Sequence, residues 1–173
     1  MTTKPTSIIL TLLFLTFVLF ACRQNKKSEN NSVEAESYFS LSISTYNHAE
    51  YLFTGALTYN LTNNILSISR QPSLSDTSIV LLTKTIDRNS IGKIKNMRID
   101  SLDDFYFNKC VMATSGNEYS ISIVNDTIKK TIRLHAYFEE HIEMLINELN
   151  KHIPDSLQIS YYTIERKKEQ DCE

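Results

Sequence analysis

Alternation of apolar and polar side chains over residues 38–69 and again over 119–132 commits most of this chain to a sheet. Phe39, Leu41 and Ile43 alternate with Ser40, Ser42 and Ser44, the period-two pattern of a strand with one face in a core and the other in water. Tyr51, Phe53, Leu57, Tyr59 and Leu61 share one parity with Gly55 in the missing place, which predicts a second strand kinked at the glycine. Asn63-Asn64 turns into a third strand over 65–69. After a loop around Pro72, the run Ile79-Val80-Leu81-Leu82 reads as a strand covered on both faces, although periodicity alone does not separate it from a helix. The chain has only three Gly and three Pro, so its turns fall to Asn, Asp and Ser, which tolerate left-handed backbone or bond their own main chain. A two-residue turn at Asn125-Asp126 places Ile123 opposite Ile128, Ile121 opposite Lys130 and Tyr119 opposite Ile132. Lys130 then lies at the rim, its stem crossing apolar surface and its ammonium in water.

Helical spacing takes over in two places. Residues 87–107 read as two short helices, the first carrying Ile91 and Ile94. Ser101 caps the second, with Asp103 and Asp104 in its first turn and Leu102, Phe105 and Tyr106 on one side. Residues 137–153 form the strongest helix, with Ile142, Leu145, Ile146, Leu149 and Ile153 in one stripe and Pro154 beyond it. A last strand is predicted over 157–164. The order β-β-β-β-α-β-β-α-β implies an α+β fold, a largely antiparallel β-sheet with one or two helices packed on one face. This single domain spans 38–166, and 167–173 reads as a charged C-terminal tail.

Charge and glycine content exclude whole classes of function. Eighteen Lys and Arg against twenty Asp and Glu give a formal net charge of −2, without the basic surplus of a nucleic-acid binder. No G-x-x-x-x-G-K or G-x-G-x-x-G is present, so no nucleotide and no other cofactor is expected.

The N-terminus carries an address. Lys4 is followed by an apolar run over 8–20 and then by Leu19-Phe20-Ala21-Cys22, too short a run for a spanning helix and suited to a cleaved signal. This stretch resembles the lipobox of bacterial lipoproteins. The resemblance implies removal of residues 1–21, diacylglycerol on the Cys22 sulfur and an acyl group on its new α-amine, so that several chains hold the protein to a membrane. Arg23, in place of the Asp that retains some lipoproteins in the inner membrane, implies the outer membrane, facing the periplasm. Residues 22–37, polar and without periodicity, read as a flexible tether with a reach of roughly 20 Å. With Cys22 acylated, Cys110 and Cys172 remain in a compartment that permits disulfides. They form a candidate bridge, or else Cys110 is a small core hydrophobe and Cys172 is loose.

Side chains able to do chemistry are few. His135 and His141 flank Glu139-Glu140, but six residues place the two imidazoles in different directions on a helix, so no metal is expected there. Asp100, Asp103 and Asp104 lack the order of a calcium loop. Ser90-x-x-Lys93, Ser115-Gly116-Asn117 and Lys130-Thr131 follow the order of elements in penicillin-binding proteins and serine β-lactamases. Ile132 stands where that family needs Gly, and the mature chain is too short for its helical domain. A polar turn supplies candidate recognition residues Thr114, Ser115, Asn117 and Tyr119. Tyr51, Tyr59, Tyr119 and Tyr161 form either an aromatic contact surface or half-buried core. The resulting expectation is a non-catalytic binding module of the cell envelope with an envelope protein or small ligand as partner. The alternatives are a small cell-wall-directed hydrolase, which would need a His with Asp or Glu in a cleft, and a structural component of the envelope.

Overall fold

The computed structural model describes residues 38–48, 55–73, 77–112 and 115–170. The lipobox and tether expected over 1–37, together with Tyr51, Phe53, Thr114 and Cys172, lie outside these residues.

Strands β1 (Phe39–Asn47), β2 (Ala56–Thr62), β3 (Ile65–Gln71) and β4 (Ile79–Thr85) precede helix α1 (Arg88–Lys95). Then come β5 (Phe105–Phe107), β6 (Asn117–Asn125), β7 (Ile128–His135) and helix α2 (Glu140–Asn150). The seven strands form one sheet in the order β4-β3-β2-β1-β6-β7-β5. Every pairing is antiparallel except that of β5 with β7, so the molecule has an α+β fold. The alternation in β1 explains its central place. Phe39, Leu41 and Ile43 meet Tyr59 and Leu61 from β2 and Tyr119 and Ile121 from β6, all buried, in the same core as the inward stripes of α1 and α2.

Two turns lock the start of β1. Asn63 and Asp126 take left-handed backbone, with φ of 53° and 52°, which Asn and Asp tolerate better than most side chains. The Asn63 amide donates to the Phe39 carbonyl at 2.8 Å and the Asp126 amide to the Tyr38 carbonyl at 2.8 Å. The second turn is therefore Asp126-Thr127, not Asn125-Asp126. Asn125 pairs with Ile128, Ile123 with Lys130, Ile121 with Ile132 and Tyr119 with Leu134. This slip of two residues keeps every side chain on its expected face. Lys130 does reach the rim, where it pairs with Asp104.

Four further expectations change. Ser101 does not cap a helix: its hydroxyl donates back to the Arg98 carbonyl at 2.8 Å, the chain makes one 3-10 turn over Ile99–Ser101, and Phe105–Phe107 joins β7 as a strand. The run in β4 is not covered on both faces, because β4 is an edge strand and Ile79 and Val80 are 53% and 65% exposed. α2 is shorter than the expected 137–153: Glu139 caps its start by accepting from the Ile142 amide at 3.0 Å, and the helix ends at Asn150, before Ile153. The last strand is absent. Residues 158–163 run extended between 3-10 turns at Asp155–Leu157 and Ile164–Glu169, and side chains replace the missing ladder. Asn150 donates to the Ile159 carbonyl and accepts from its amide, both at 2.9 Å. The Tyr59 and Tyr119 hydroxyls donate to the carbonyls of Leu157 and Ser160 at 3.0 and 2.6 Å. The expected tail is tied as far as Gln170, which is buried and accepts from the Phe138 amide.

Candidate functional site

Opposite the helices, short polar side chains line the sheet. Thr83, Ser67, Asn60, Ser42, Ser122 and Thr131 stand in one row across β4, β3, β2, β1, β6 and β7, and each keeps some exposure. Following the same parity to one end of the sheet brings a different chemistry. Tyr46, Glu118, His135 and Phe107 form the row across β1, β6, β7 and β5. His48 follows just past β1, its amide held by the Gly116 carbonyl at 3.1 Å.

The carboxylate of Glu118 is the centre of this cluster. Its Oε2 lies 3.3 Å from His48 Nε2 and 3.9 Å from His135 Nδ1, and it accepts a 2.5 Å hydrogen bond from the Tyr46 hydroxyl. One ligand atom from each of His48, Glu118 and His135 falls within 4.8 Å of the others. Rings wall the group. Phe107 stacks on His135 at 5.1 Å, His48 stands edge-on to His135 at 5.3 Å, and Tyr46 lies 4.8 Å from His48. His135 is only 6% exposed, whereas the side chains of His48 and Glu118 are 23% and 29% exposed. The imidazole of His135 is thus a fixed floor and the other two groups form the open side. His135 Nε2 meets the Met112 carbonyl at 3.4 Å. The next residue, Ala136, has φ of 48°, a left-handed conformation that costs a residue with a Cβ about 1–2 kcal/mol. It is held by the hydrogen bond that its amide donates to the Asn117 carbonyl at 2.9 Å. One anion between two imidazoles can hold a metal ion or pass a proton.

The opposite face at the same end holds a cavity of about 350 Å³, lined among others by Asn47, Tyr59, Arg70, Asn117 and Tyr119. Asn47 donates to the Asn117 side-chain oxygen at 2.7 Å. Burial pushes the Tyr59 hydroxyl up from 10.0 to about 12, with Arg70 pulling weakly the other way. Burial also raises Tyr119 and Tyr161 well above the usual range.

The residues singled out from sequence are distributed differently. Of the recognition candidates, Ser115 donates its hydroxyl to the Met112 carbonyl at 3.0 Å, and Asn117 opens β6. Tyr119 and Tyr59 are buried in the core, so their rings offer no outer aromatic surface and border only the cavity. Cys110 is one half of a disulfide. His141 pairs with Glu139 at 3.1 Å while His135 turns to Glu118, so the two histidines do not converge. Ser90 is tied up at the start of α1: the capping Asp87 carboxylate accepts from its amide at 3.0 Å and from its hydroxyl at 2.7 Å. His48 and Glu118 carry no local motif. Their signal lies in strand register alone: the slipped hairpin sets Glu118 against Arg133, an unremarkable ion pair, whereas the true one sets it against His135. No protein-family model matches this chain, and no curated protein is found to be similar to it.

Proposed function

We propose that the chain is a bacterial lipoprotein, held to the outer membrane by acyl chains on Cys22, whose domain is a binding module facing the periplasm. The signal-like order of charge, apolar run, small residue and Cys over 1–22 supports the anchor. Among the described residues no helix is long and apolar enough to cross a membrane. The observation that carries the binding reading is the row of hydroxyl and amide side chains six strands wide, part-exposed throughout and leading to the His48, Glu118, His135 cluster. Short side chains on a sheet are held with little freedom to lose, so they offer polar contacts at low entropic cost. A polar envelope component is the matching partner.

Cross-linking in intact cells followed by pull-down tests this. One near-stoichiometric envelope partner is expected, lost when Cys22→Ser releases the protein from the membrane and lost again when Ser42→Arg and Ser122→Arg crowd the face. A partner retained by the crowded variant would refute the assignment to this face. A second reading, hydrolysis of cell-wall material, is favoured by the same cluster, which brings a His and a Glu together as that chemistry needs. Turnover of cell-wall substrate that vanishes in Glu118→Gln would replace the binding module with an enzyme.

A further inference from the structure

We propose that His48, Glu118 and His135 form a binding site for a single divalent first-row transition-metal ion of the Zn²⁺ class, coordinated through His48 Nε2, Glu118 Oε2 and His135 Nδ1. The remaining position opens toward the polar face. The site rests on the folded domain and not on the anchor or the partner, so either reading can fail without the other.

Geometry is the first support. Bonds of about 2.0–2.1 Å at the tetrahedral angle put ligand atoms about 3.4 Å apart. His48 Nε2 and Glu118 Oε2 are at 3.3 Å already, His135 Nδ1 is 3.9 Å from that oxygen, and no pair exceeds 4.8 Å. The widest pair, within 4.8 Å, closes by movement of His48, the more exposed imidazole and one that sits past the end of β1.

The second support is the direction in which His135 is wired. Nε2 faces the Met112 carbonyl at 3.4 Å, and in the tautomer that donates there the buried Nδ1 turns a lone pair toward a carboxylate oxygen 3.9 Å away. Two acceptors facing each other across a gap are satisfied by a cation between them. A metal-bound histidine ordinarily gives its other nitrogen to a carbonyl in this way, and a ligating carboxylate is ordinarily hydrogen-bonded. The Met112 carbonyl and the Tyr46 hydroxyl supply both of these outer partners. Phe107 and Tyr46 add a ring wall that limits water, and the left-handed Ala136 beside His135 is the kind of local strain that proteins retain at working sites.

The donor set selects the metal. Two imidazoles and one carboxylate suit Zn²⁺ and its first-row neighbours, whereas Ca²⁺ and Mg²⁺ require oxygen-rich shells. The test uses the full mature chain carrying Cys22→Ser and no histidine tag, stripped with chelator and titrated with Zn²⁺ by calorimetry and with Co²⁺ by visible absorption. One ion per chain is expected, without competition from Ca²⁺ or Mg²⁺. His48→Ala, Glu118→Gln and His135→Ala should each weaken it tenfold or more, while His141→Ala leaves it unchanged. Should the buried His135→Ala variant fail to fold, the two more exposed positions decide the matter alone. Absence of saturable binding, or binding that survives His48→Ala combined with Glu118→Gln, would overturn the proposal. The occupant of the gap would then be a proton on Nδ1, and the cluster a hydrogen-bonded knot.

Discussion

Replacing Tyr59 by Phe should destabilise the domain at neutral pH and stabilise it at high pH. The Tyr59 hydroxyl is 3.0 Å from the Leu157 carbonyl, and its loss at neutral pH costs about 1 kcal/mol. In the unfolded chain the same hydroxyl ionises near its ordinary value of 10.0, while in the fold burial holds it protonated to about 12. The folded state therefore binds the proton more tightly than the unfolded state between these values. The contribution of this hydroxyl is intact below pH 10 and is lost as pH rises toward about 12. Two pH units at about 1.4 kcal/mol each amount to about 2–3 kcal/mol. Phe has nothing to ionise and escapes this one loss, while the losses from Tyr119 and Tyr161 are common to both proteins, so the two stability curves should cross at about pH 11. Urea unfolding followed by far-ultraviolet circular dichroism at a series of pH values measures both arms. Tyrosinate absorbance recorded alongside should show Tyr59, Tyr119 and Tyr161 ionising only with the loss of the fold. A constant penalty for Tyr59→Phe from neutral pH through the alkaline range would refute the reasoning, because it would mean that the hydroxyl is reached by water in the folded state.

Three other substitutions probe how the extended C-terminal segment, one strand end and one helix are held. Asn150→Ala removes both hydrogen bonds to Ile159, a residue only 4% exposed, and should cost about 2–4 kcal/mol in urea unfolding because a buried amide and carbonyl lose their partners; a loss below about 1 kcal/mol would show that water replaces the side chain. Gly55→Ala forces a Cβ to within 2.1 Å of the Gln71 carbonyl oxygen at a φ of 71° and should cost at least about 2 kcal/mol. Gly92→Ala, in α1 with nothing within 4 Å, should stabilise by about 0.5–1 kcal/mol, and thermal melts in which the two variants moved together would contradict both accounts.

What the sequence reveals depends on whether a feature is recorded locally. The serine alternation in β1 is recorded locally, because burial of one face must repeat every two residues, and it leads correctly to a half-wet strand and to the α+β class. The second hairpin shows the limit of that signal. A slip of two residues leaves Ile121, Ile123 and Tyr119 facing the core in both registers, so alternation cannot choose between them. The choice is made by a long-range contact, the Asp126 amide on the Tyr38 carbonyl. Position in the sheet is equally non-local. Ile79, Val80 and Leu81 read as a buried run, yet nothing in those residues says that the sheet ends there. Leu157, Ile159 and Tyr161 alternate like a strand, but the backbone of this segment is held by the Asn150 side chain at Ile159 and by tyrosine hydroxyls from β2 and β6 at Leu157 and Ser160. The His48, Glu118, His135 cluster combines these difficulties. Two of its members come from β6 and β7 and the third from the residue just past β1, and their meeting depends on the register of β1 with β6 and of β6 with β7 at once.

The oxidation state of Cys110 ties the anchor to the fold. The chain has three cysteines, and Cys110 is bonded to another sulfur. A Cys22 whose sulfur carries diacylglycerol has no thiol to give, so within one chain the lipoprotein reading requires Cys172 as the partner. That bridge would close a loop of about 60 residues and, on chain-entropy grounds, stabilise the fold by up to about 4 kcal/mol. It would also extend the restraint already visible at Gln170, whose buried side chain accepts from the Phe138 amide. Peptide mapping of the mature protein without reductant should recover Cys110 joined to Cys172, and reductant should lower the urea midpoint without changing membrane retention. Recovery of Cys110 joined to Cys22 would be decisive in the other direction. The same sulfur cannot be both a thioether to lipid and half of a disulfide, so that one peptide would remove the anchor, and with it the envelope location argued from Leu19-Phe20-Ala21-Cys22.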